Sequence, residues 1–403
     1  MIISSYLLRE SSNIFDGWRS VSIALFMALV GYSVMVSIPV LSTAWVEMLG
    51  FTEEQVGRVA GADLGGFSAG AILAATLVGR MNRQILVLLG LVISIASNSL
   101  CMIYVDYEQV LWLRVVAGLG SGIYTSVAVT SLGGTTNPAR AFNLLLFAFA
   151  FSQALELYIL PKLTMNGIYL FFIGLSTVCV LFLRWIPKRP LNETELAEQE
   201  KHENKIEDWH VPKIVPWLCL VAIGFTYVNI GGYWTYIELA ALADGIADDW
   251  IGSLLVWTSF FSIVGCLIAT ILSDRFGLFK PLIVSLLAMA TIVGMLGGGI
   301  TETNIMFSLF SFNLLWIFVD VFQTAMVAHM DRSGSFVALV PGAQGFGQII
   351  GPNVAASVLG AELGYSTMFI VSGSMALVAM LIYIGVSFYM HRHVKKSVLS
   401  NAS

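Results

Sequence analysis

Twelve apolar runs of about 20 residues constrain the fold of this chain more than any other feature. A helix needs about 20 consecutive apolar residues to cross a bilayer, because each residue advances the axis by only about 1.5 Å. The runs cover residues 18–43, 55–79, 84–105, 109–134, 140–161, 166–186, 214–240, 249–273, 280–300, 304–330, 335–358 and 365–390. The sequence therefore predicts an all-α membrane protein with twelve transmembrane helices.

Composition excludes a water-soluble fold. Of the 403 residues, 57% are hydrophobic and 11% are charged, whereas an average soluble domain has about 25% charged residues. So few charges cannot cover a surface that faces water, and a soluble enzyme is therefore excluded. All the cysteines lie in apolar runs, which indicates small buried side chains rather than disulfides or metal ligands; they are Cys101, Cys179, Cys219 and Cys266.

A charged segment near the middle divides the runs into two sets of six. We predict a cytoplasmic N-terminus at 1–17, an N-terminal six-helix bundle at 18–186, a cytoplasmic linker at 187–213, a C-terminal six-helix bundle at 214–390 and a cytoplasmic tail at 391–403. An offset of 195 residues relates Gly57 to Gly252 and Gly70 to Gly265. This repetition predicts two pseudo-symmetric bundles with a central site between them.

The basic residues predict the orientation. Of the 20 Lys and Arg residues, 17 fall in segments that share a side with the N-terminus, while the opposite loops are acidic. Basic residues favour the cytoplasmic side, so both termini are predicted to be cytoplasmic. We expect a multi-pass protein of a bacterial inner membrane, monomeric in the bilayer. The net charge of −5 gives no indication of a nucleic-acid partner, because the charges are segregated by side.

Three short motifs carry a family resemblance. The eighth run ends in SDRFGLFK, with Asp274, Arg275, Gly277 and Lys280, and the fourth contains Arg114 followed by Gly118 and Gly120. The eleventh run is rich in glycine and holds a proline. Together with the topology, these motifs resemble the major facilitator superfamily. The resemblance implies that the loop from Asp274 to Lys280 takes part in gating, although its counterpart at residues 79–83 lacks the aspartate.

Ionisable residues at membrane depth are the strongest functional signal. A charged side chain at the bilayer centre costs about 2.5–3.5 kcal/mol on insertion scales, so such residues usually face a pathway or a partner. Asp63 and Arg114 lie at depths that differ by only about 5 Å. They are predicted to form either a proton-coupling pair or a permanent ion pair. Asp320 is the second candidate for coupling, or for binding a cationic group of the solute. Glu156 and Glu238 lie near outer helix ends, where exposure to water explains them more simply.

Aromatic and amide side chains on the seventh and tenth runs predict a binding site for an organic solute. The resemblance implies that these two runs line a cavity with the first and fourth. An interfacial aromatic belt is the alternative interpretation for about half of them, above all for Tyr236. The predicted solute-binding residues are Tyr32, Ser33, Tyr227, Asn229, Tyr233, Trp234, Asn313 and Trp316.

The resemblance implies a secondary transporter that moves a small organic solute by alternating access. Proton coupling is favoured because buried carboxylates are present, whereas the sequence has no GK[ST] loop for ATP. The alternatives are a proton-driven exporter of amphipathic compounds and a membrane receptor on the same fold that does not transport. No catalytic residues, cofactor or metal are expected, because nucleophile and metal-ligand motifs are missing from the sequence.

Overall fold

Thirteen α-helices make up the transmembrane part of the computed structural model, which describes residues 14–188, 212, 214–330 and 336–400. They are α1 (Trp18–Leu49), α2 (Glu53–Leu77), α3 (Arg83–Cys101), α4 (Tyr107–Gly133), α5 (Pro138–Ile159), α6 (Met165–Leu181), α7 (Ile214–Ala243), α8 (Asp248–Thr258), α9 (Phe261–Phe276), α10 (Phe279–Gly294), α11 (Glu302–Met330), α12 (Val340–Gly360) and α13 (Gly364–Ser400). Because α8 and α9 together form the eighth span, the prediction of twelve spans is confirmed.

Length and hydropathy support a membrane location for these helices. Ten segments of the described chain are at least 18 residues long and apolar enough to cross a bilayer. The two remaining spans are α6, which has 17 residues, and the glycine-rich α12. Most of the predicted N-terminus and linker lies outside the described residues. At the other end, α13 continues as a helix beyond the predicted boundary at residue 391.

The eighth span is interrupted, whereas the sequence predicted one continuous helix over 249–273. Around Ser259 and Phe260 the backbone N–H groups bond to carbonyls three residues back rather than four. The hydroxyl of Ser259 also bonds to the carbonyl of Leu255, and that of Ser262 bonds to the carbonyl of Ser259. Serine hydroxyls that compete for helix carbonyls bend transmembrane helices. The apolar pattern alone could not show this break.

A close helix contact recurs in the two halves and confirms their pseudo-symmetry. A Cβ atom at Gly70 in α2 would overlap the carbonyl oxygen of Leu119 in α4. A Cβ atom at Gly265 in α9 would overlap the carbonyl oxygen of Leu314 in α11. The same offset of 195 residues relates both members of the two pairs. Small residues at such places let helix backbones touch inside a membrane.

The halves meet closely at the end of the bundle where α1 ends, which we call the outer end after the predicted orientation. There the hydroxyl of Tyr236 donates to the carbonyl of Glu53 at 2.6 Å, and that of Tyr365 donates to the Glu53 carboxylate at 2.7 Å. Arg58 donates to the Asn353 side chain at 3.0 Å. These bonds join α2 to α7, α12 and α13, so the outer end of the bundle is closed.

Candidate functional site

Asp63 and Arg114 are in direct contact in the N-terminal half. The Arg114 Nε donates to the Asp63 Oδ2 at 2.5 Å, and Nη2 contacts the same carboxylate oxygen. The Arg114 Nη1 donates to the Asn98 Oδ1 at 2.8 Å, and the guanidinium carbon lies 6.0 Å from the ring centre of Tyr169. The glycine at 118, which packs against the Asp63 carbonyl, allows α2 and α4 to approach this closely.

This pair has the geometry of a structural tie. Arg114 is 0% exposed and Asp63 is 2% exposed, and their contacts join α2, α3, α4 and α6 within one half. When a buried carboxylate is hydrogen-bonded to a guanidinium, the positive charge of the guanidinium compensates its negative charge. Of the two interpretations of the pair, the contacts favour the permanent ion pair. Its role in proton coupling stays a prediction.

Asp320 occupies a different environment, at the boundary between the halves. Its Oδ1 accepts hydrogen bonds from the Tyr227 hydroxyl at 2.9 Å and from the Gln344 Nε2 at 2.5 Å. Tyr32, on the N-terminal half, is close enough for an electrostatic interaction with Asp320. Among the described residues, no Lys, Arg or His side chain forms an ion pair with this carboxyl group. We call Tyr32, Tyr227, Asp320 and Gln344 the Asp320 cluster.

Aromatic side chains extend the Asp320 cluster toward the outer end. Trp316 interacts with the Tyr227 hydroxyl, and its ring centre lies 6.0 Å from that of Trp234. The Trp234 indole N–H is buried and has no hydrogen-bond partner among the described residues. On the other side, the Tyr32 ring lies 5.6 Å from Phe67. The contacts therefore place three of the predicted binding residues in one continuous group with Asp320, namely Tyr227, Trp234 and Trp316. Tyr32 lies on the facing half, close enough to interact electrostatically with Asp320.

The other predicted binding residues of the C-terminal half form bonds within that half. The Asn229 side chain donates to the Ser372 carbonyl at 2.7 Å, and that of Asn313 donates to the Thr258 hydroxyl at 3.2 Å. The Tyr233 hydroxyl shares a hydrogen bond of 2.9 Å with Ser308. With exposures of 2% or less, these three side chains pack the helices together, and their contacts lend no support to a role in solute binding.

Glu156 and Glu238 are buried, which corrects the expectation that both reach water at helix ends. Glu156 is 2% exposed, and its Oε1 accepts from the Ser33 hydroxyl at 2.7 Å. Glu238 is 3% exposed and interacts with Thr43 of α1. Each carboxyl group keeps one oxygen without a partner among the described residues. Neighbouring helices cover the two carboxyl groups and keep water away from them. The sequence of one helix does not reveal which helices pack against it.

The predicted gating loop is described only in part. Gly277, with φ +67°, ends α9, and Arg275 and Lys280 are exposed on either side of it. The side chain of Asp274 lies outside the described residues. In the corresponding loop of the first half, Arg83 is 2% exposed and its guanidinium carbon lies 4.6 Å from the ring centre of Phe15. A gating role for the loop therefore stays a prediction.

Sequence reasoning missed three polar residues that contact or neighbour the ionisable residues at membrane depth. Asn98 binds Arg114 and Gln344 binds Asp320, while Gln153 lies one helical turn from Glu156. All three are uncharged residues within apolar runs, and a search for charges passes over them. A search for amides at membrane depth would have found them. Among the described residues, no group of three or more His, Cys, Asp and Glu side chains is placed to hold a metal ion.

Comparisons with known proteins agree with this architecture. A family model described as Major Facilitator Superfamily matches residues 22–352. The structure is similar to the crystal structure of the nucleoside transporter NupG (TM-score 0.69, 13% identity, 91% of this chain and 98% of that chain).

It is also similar to a D-xylose-proton symporter (TM-score 0.70, 15% identity, 91% and 97% covered). A third similar structure is the human organic anion transporter MFSD10 (TM-score 0.62, 14% identity, 91% and 99% covered). A search of curated protein sequences found no match. At these identities the likeness establishes the fold alone.

Proposed function

Because the chain belongs to the Major Facilitator Superfamily, we propose that it is a secondary transporter that couples the movement of a small organic solute to protons. The observation that carries the proposal is the placement of Asp320. It lies at the boundary between the halves, only partly buried, and the donors that bond to it within the described ranges of the chain are neutral. Such a carboxyl group can exchange a proton without breaking an ion pair.

The closed outer end gives this site a direction of access. Bonds from α2 to α7, α12 and α13 hold the halves together there. Asp320 lies about 15 Å from the inner end of α11, since ten residues separate it from Met330 and each adds about 1.5 Å. We infer that this conformation exposes the Asp320 cluster toward the inner side, and that parting of the outer bonds exposes it toward the other.

The chemistry of the Asp320 cluster fits both a proton and a solute. In its ionised form the carboxylate accepts bonds from Tyr227 and Gln344, and in its protonated form it can donate one to a solute. The aromatic faces of Tyr32, Trp234 and Trp316 supply apolar contact area beside it. Such a site orients the bound solute. When Asp320 loses its proton, the charge of the site changes, and the movement of the solute is thereby linked to that of the proton.

Transport in proteoliposomes tests the proposal. D-xylose and uridine are the first solutes to assay, because similar structures are named as transporters of D-xylose and of nucleosides. The wild-type protein should accumulate its solute when a pH gradient is imposed. Asp320→Asn should abolish this accumulation while solute exchange without a gradient continues, because Asn keeps the shape and cannot release a proton.

Asp106→Asn serves as the control, because Asp106 precedes α4 and makes no side-chain capping bond. This variant should accumulate solute as the wild type does. Unchanged gradient-driven accumulation by Asp320→Asn would contradict the coupling role of Asp320. Tight binding of a solute without any flux would instead favour the receptor alternative.

A further inference from the structure

Two buried polar side chains on adjacent turns of α5 have hydrogen-bonding atoms that no described residue uses. Gln153 is 1% exposed, and its Nε2 has no partner within the described part of the chain. Glu156 is 2% exposed, and its Oε2 likewise has no partner among those residues. Residues three apart in a helix share one face, so a donor and an acceptor are left unused side by side.

The Glu156 carboxyl group is held in place by its other oxygen. Oε1 accepts from the Ser33 hydroxyl at 2.7 Å and from the Ser152 hydroxyl at 3.0 Å. Ser33 belongs to α1 and Ser152 to α5, so the carboxyl group is fixed between two helices. The remaining oxygen is therefore available to a group that neither helix provides.

The helix that carries this pair lies at the boundary between the halves. α5 packs against α1 of its own half and against α8 of the other half. The contact with the C-terminal half includes the Phe151 and Phe260 rings, whose centres are 5.2 Å apart. Gln153 and Glu156 lie on another face of α5, the one that carries Phe149. The Phe149 ring centre is 6.0 Å from that of Tyr32 in the Asp320 cluster. This face is therefore turned toward the solute site proposed between the halves.

A hydroxyl group satisfies both unused atoms. A hydroxyl group accepts a hydrogen bond from the amide of Gln153 and donates one to the carboxylate of Glu156. An ammonium group would pair with Glu156 but would place its own donors against the amide. A carboxylate would accept from Gln153 but would repel Glu156. Because buried polar atoms without partners are unfavourable, the pair favours a hydroxyl group over an ammonium group or a carboxylate.

We propose that Gln153 and Glu156 form a hydroxyl-binding subsite, and that the solute is a polyhydroxylated molecule such as a sugar or the ribose of a nucleoside. This inference rests on the transport function proposed above and specifies its substrate class. It assigns Glu156 to solute recognition and leaves proton exchange to Asp320.

Equilibrium binding to the purified full-length protein tests the inference without any gradient. The probes are D-xylose, D-glucose, sorbitol and uridine, measured by isothermal titration calorimetry. At least one should bind the wild type, and Gln153→Met should weaken that probe at least tenfold, because Met keeps the length but lacks the donor. Glu156→Gln should weaken it as well, because the hydroxyl hydrogen loses its charged acceptor.

Gln84→Met is the matched control. The Gln84 amide donates to the Ile186 carbonyl at 2.7 Å, at the inner end of α3, so its loss should leave the affinity unchanged. Analogues of the binding probe that lack one hydroxyl add a test on the wild-type protein itself. One analogue should bind the wild type at least tenfold more weakly than the parent probe does. The same analogue and the parent probe should bind Gln153→Met equally, because this variant already lacks the amide that the missing hydroxyl would contact.

Three results would overturn the inference. They are the failure of all four probes to bind, equal binding of every deoxy analogue to the wild type, and unchanged affinity in both site variants, as expected if the subsite holds only water. These results can be distinguished from a failure of the coupling proposal. That proposal is tested by the accumulation of solute in Asp320→Asn, and its failure would not change the affinities measured here.

Discussion

In the N-terminal half, α2 and α4 are joined by the charged pair of Asp63 and Arg114, whereas the corresponding positions of the C-terminal half carry Thr258 and Leu309. The same offset of 195 residues relates Asp63 to Thr258 and Arg114 to Leu309. In place of an ion pair, the Thr258 hydroxyl donates to the Leu309 carbonyl at 2.7 Å. Two equivalent helix contacts are thus completed by different chemistry.

The comparison shows that the helix contact itself does not require charge. The close approach at Gly265 in the C-terminal half is like that at Gly70, and a neutral hydrogen bond accompanies it. The charged pair adds connections instead, because Arg114 also contacts Asn98 of α3 and Tyr169 of α6. Charge therefore links four helices in one half, where a hydroxyl links two in the other.

The largest effect is expected from removing the arginine alone. Arg114→Leu leaves the Asp63 carboxylate buried without its cation, and the free energy of unfolding should fall by about 3–5 kcal/mol. Denaturant unfolding in detergent measures the loss. Arg140→Leu, which removes an exposed arginine, should have little effect. A loss below about 1 kcal/mol for Arg114→Leu would mean that water reaches the pair.

The two glycine contacts should respond alike, because both halves need them equally. Gly70→Ala and Gly265→Ala each place a methyl group against a helix carbonyl, and each should lower the free energy of unfolding by about 1–3 kcal/mol. Gly174→Ala is the control, since nothing lies within 4 Å of its Cβ position. A large difference between Gly70→Ala and Gly265→Ala would show that the halves are not equivalent in packing.

Transfer of the C-terminal chemistry into the N-terminal half should restore much of the lost stability. Asp63→Thr combined with Arg114→Leu removes both charges, and the double variant should unfold within about 1 kcal/mol of the wild type. It should also retain accumulation driven by a pH gradient, if Asp320 is the coupling residue. Loss of accumulation in a stable double variant would assign coupling to Asp63 instead.

The smallest effect is expected at an exposed acid. Hydrogen bonds from the Thr136 hydroxyl and backbone N–H lower the pKa of Asp16, before α1, below its usual 3.8. A lowered pKa stabilises the folded state at pH values above 3.8, and this contribution is lost as the pH falls through the lowered value. Melting temperatures of Asp16→Ala and wild type should therefore differ slightly at neutral pH and converge in acid. A difference independent of pH would contradict this origin.

Sequence reasoning predicted the features that depend on one helix at a time. Apolar runs gave the twelve spans, and depth along two helices placed Asp63 and Arg114 at the same level. Sequence reasoning could not predict the contacts that depend on which faces of neighbouring helices pack together. The burial of Glu156, which Ser33 of α1 contacts, is one example, and the break near Ser259 depends on hydroxyl bonds that hydropathy does not register.

The resemblance and the residues together gave only part of the candidate site. Tyr32, Tyr227, Trp234 and Trp316 were predicted from their types and spans. The contacts join the last three to Asp320, and Tyr32 lies on the facing half. Asn229 and Asn313 had equally favourable types, but both bond within their own half. Only packing distinguishes an amide that faces a boundary from one that joins helices, because both lie on apolar helices at similar depths.

The glycines of α2 make two kinds of helix contact, one within the N-terminal half and one with the C-terminal half. Gly66 and Gly70 are in contact with the backbone of α4, within the same half, while Gly57 and Gly61 meet α12 and Tyr236 of the other half. If the halves separate during transport as proposed, the second contact must break, and the first, which lies within one half, is expected to persist. We then expect the helix to move together with its own half. A single spectroscopic probe on α2, paired with one on α12, would consequently report the displacement of the entire N-terminal half.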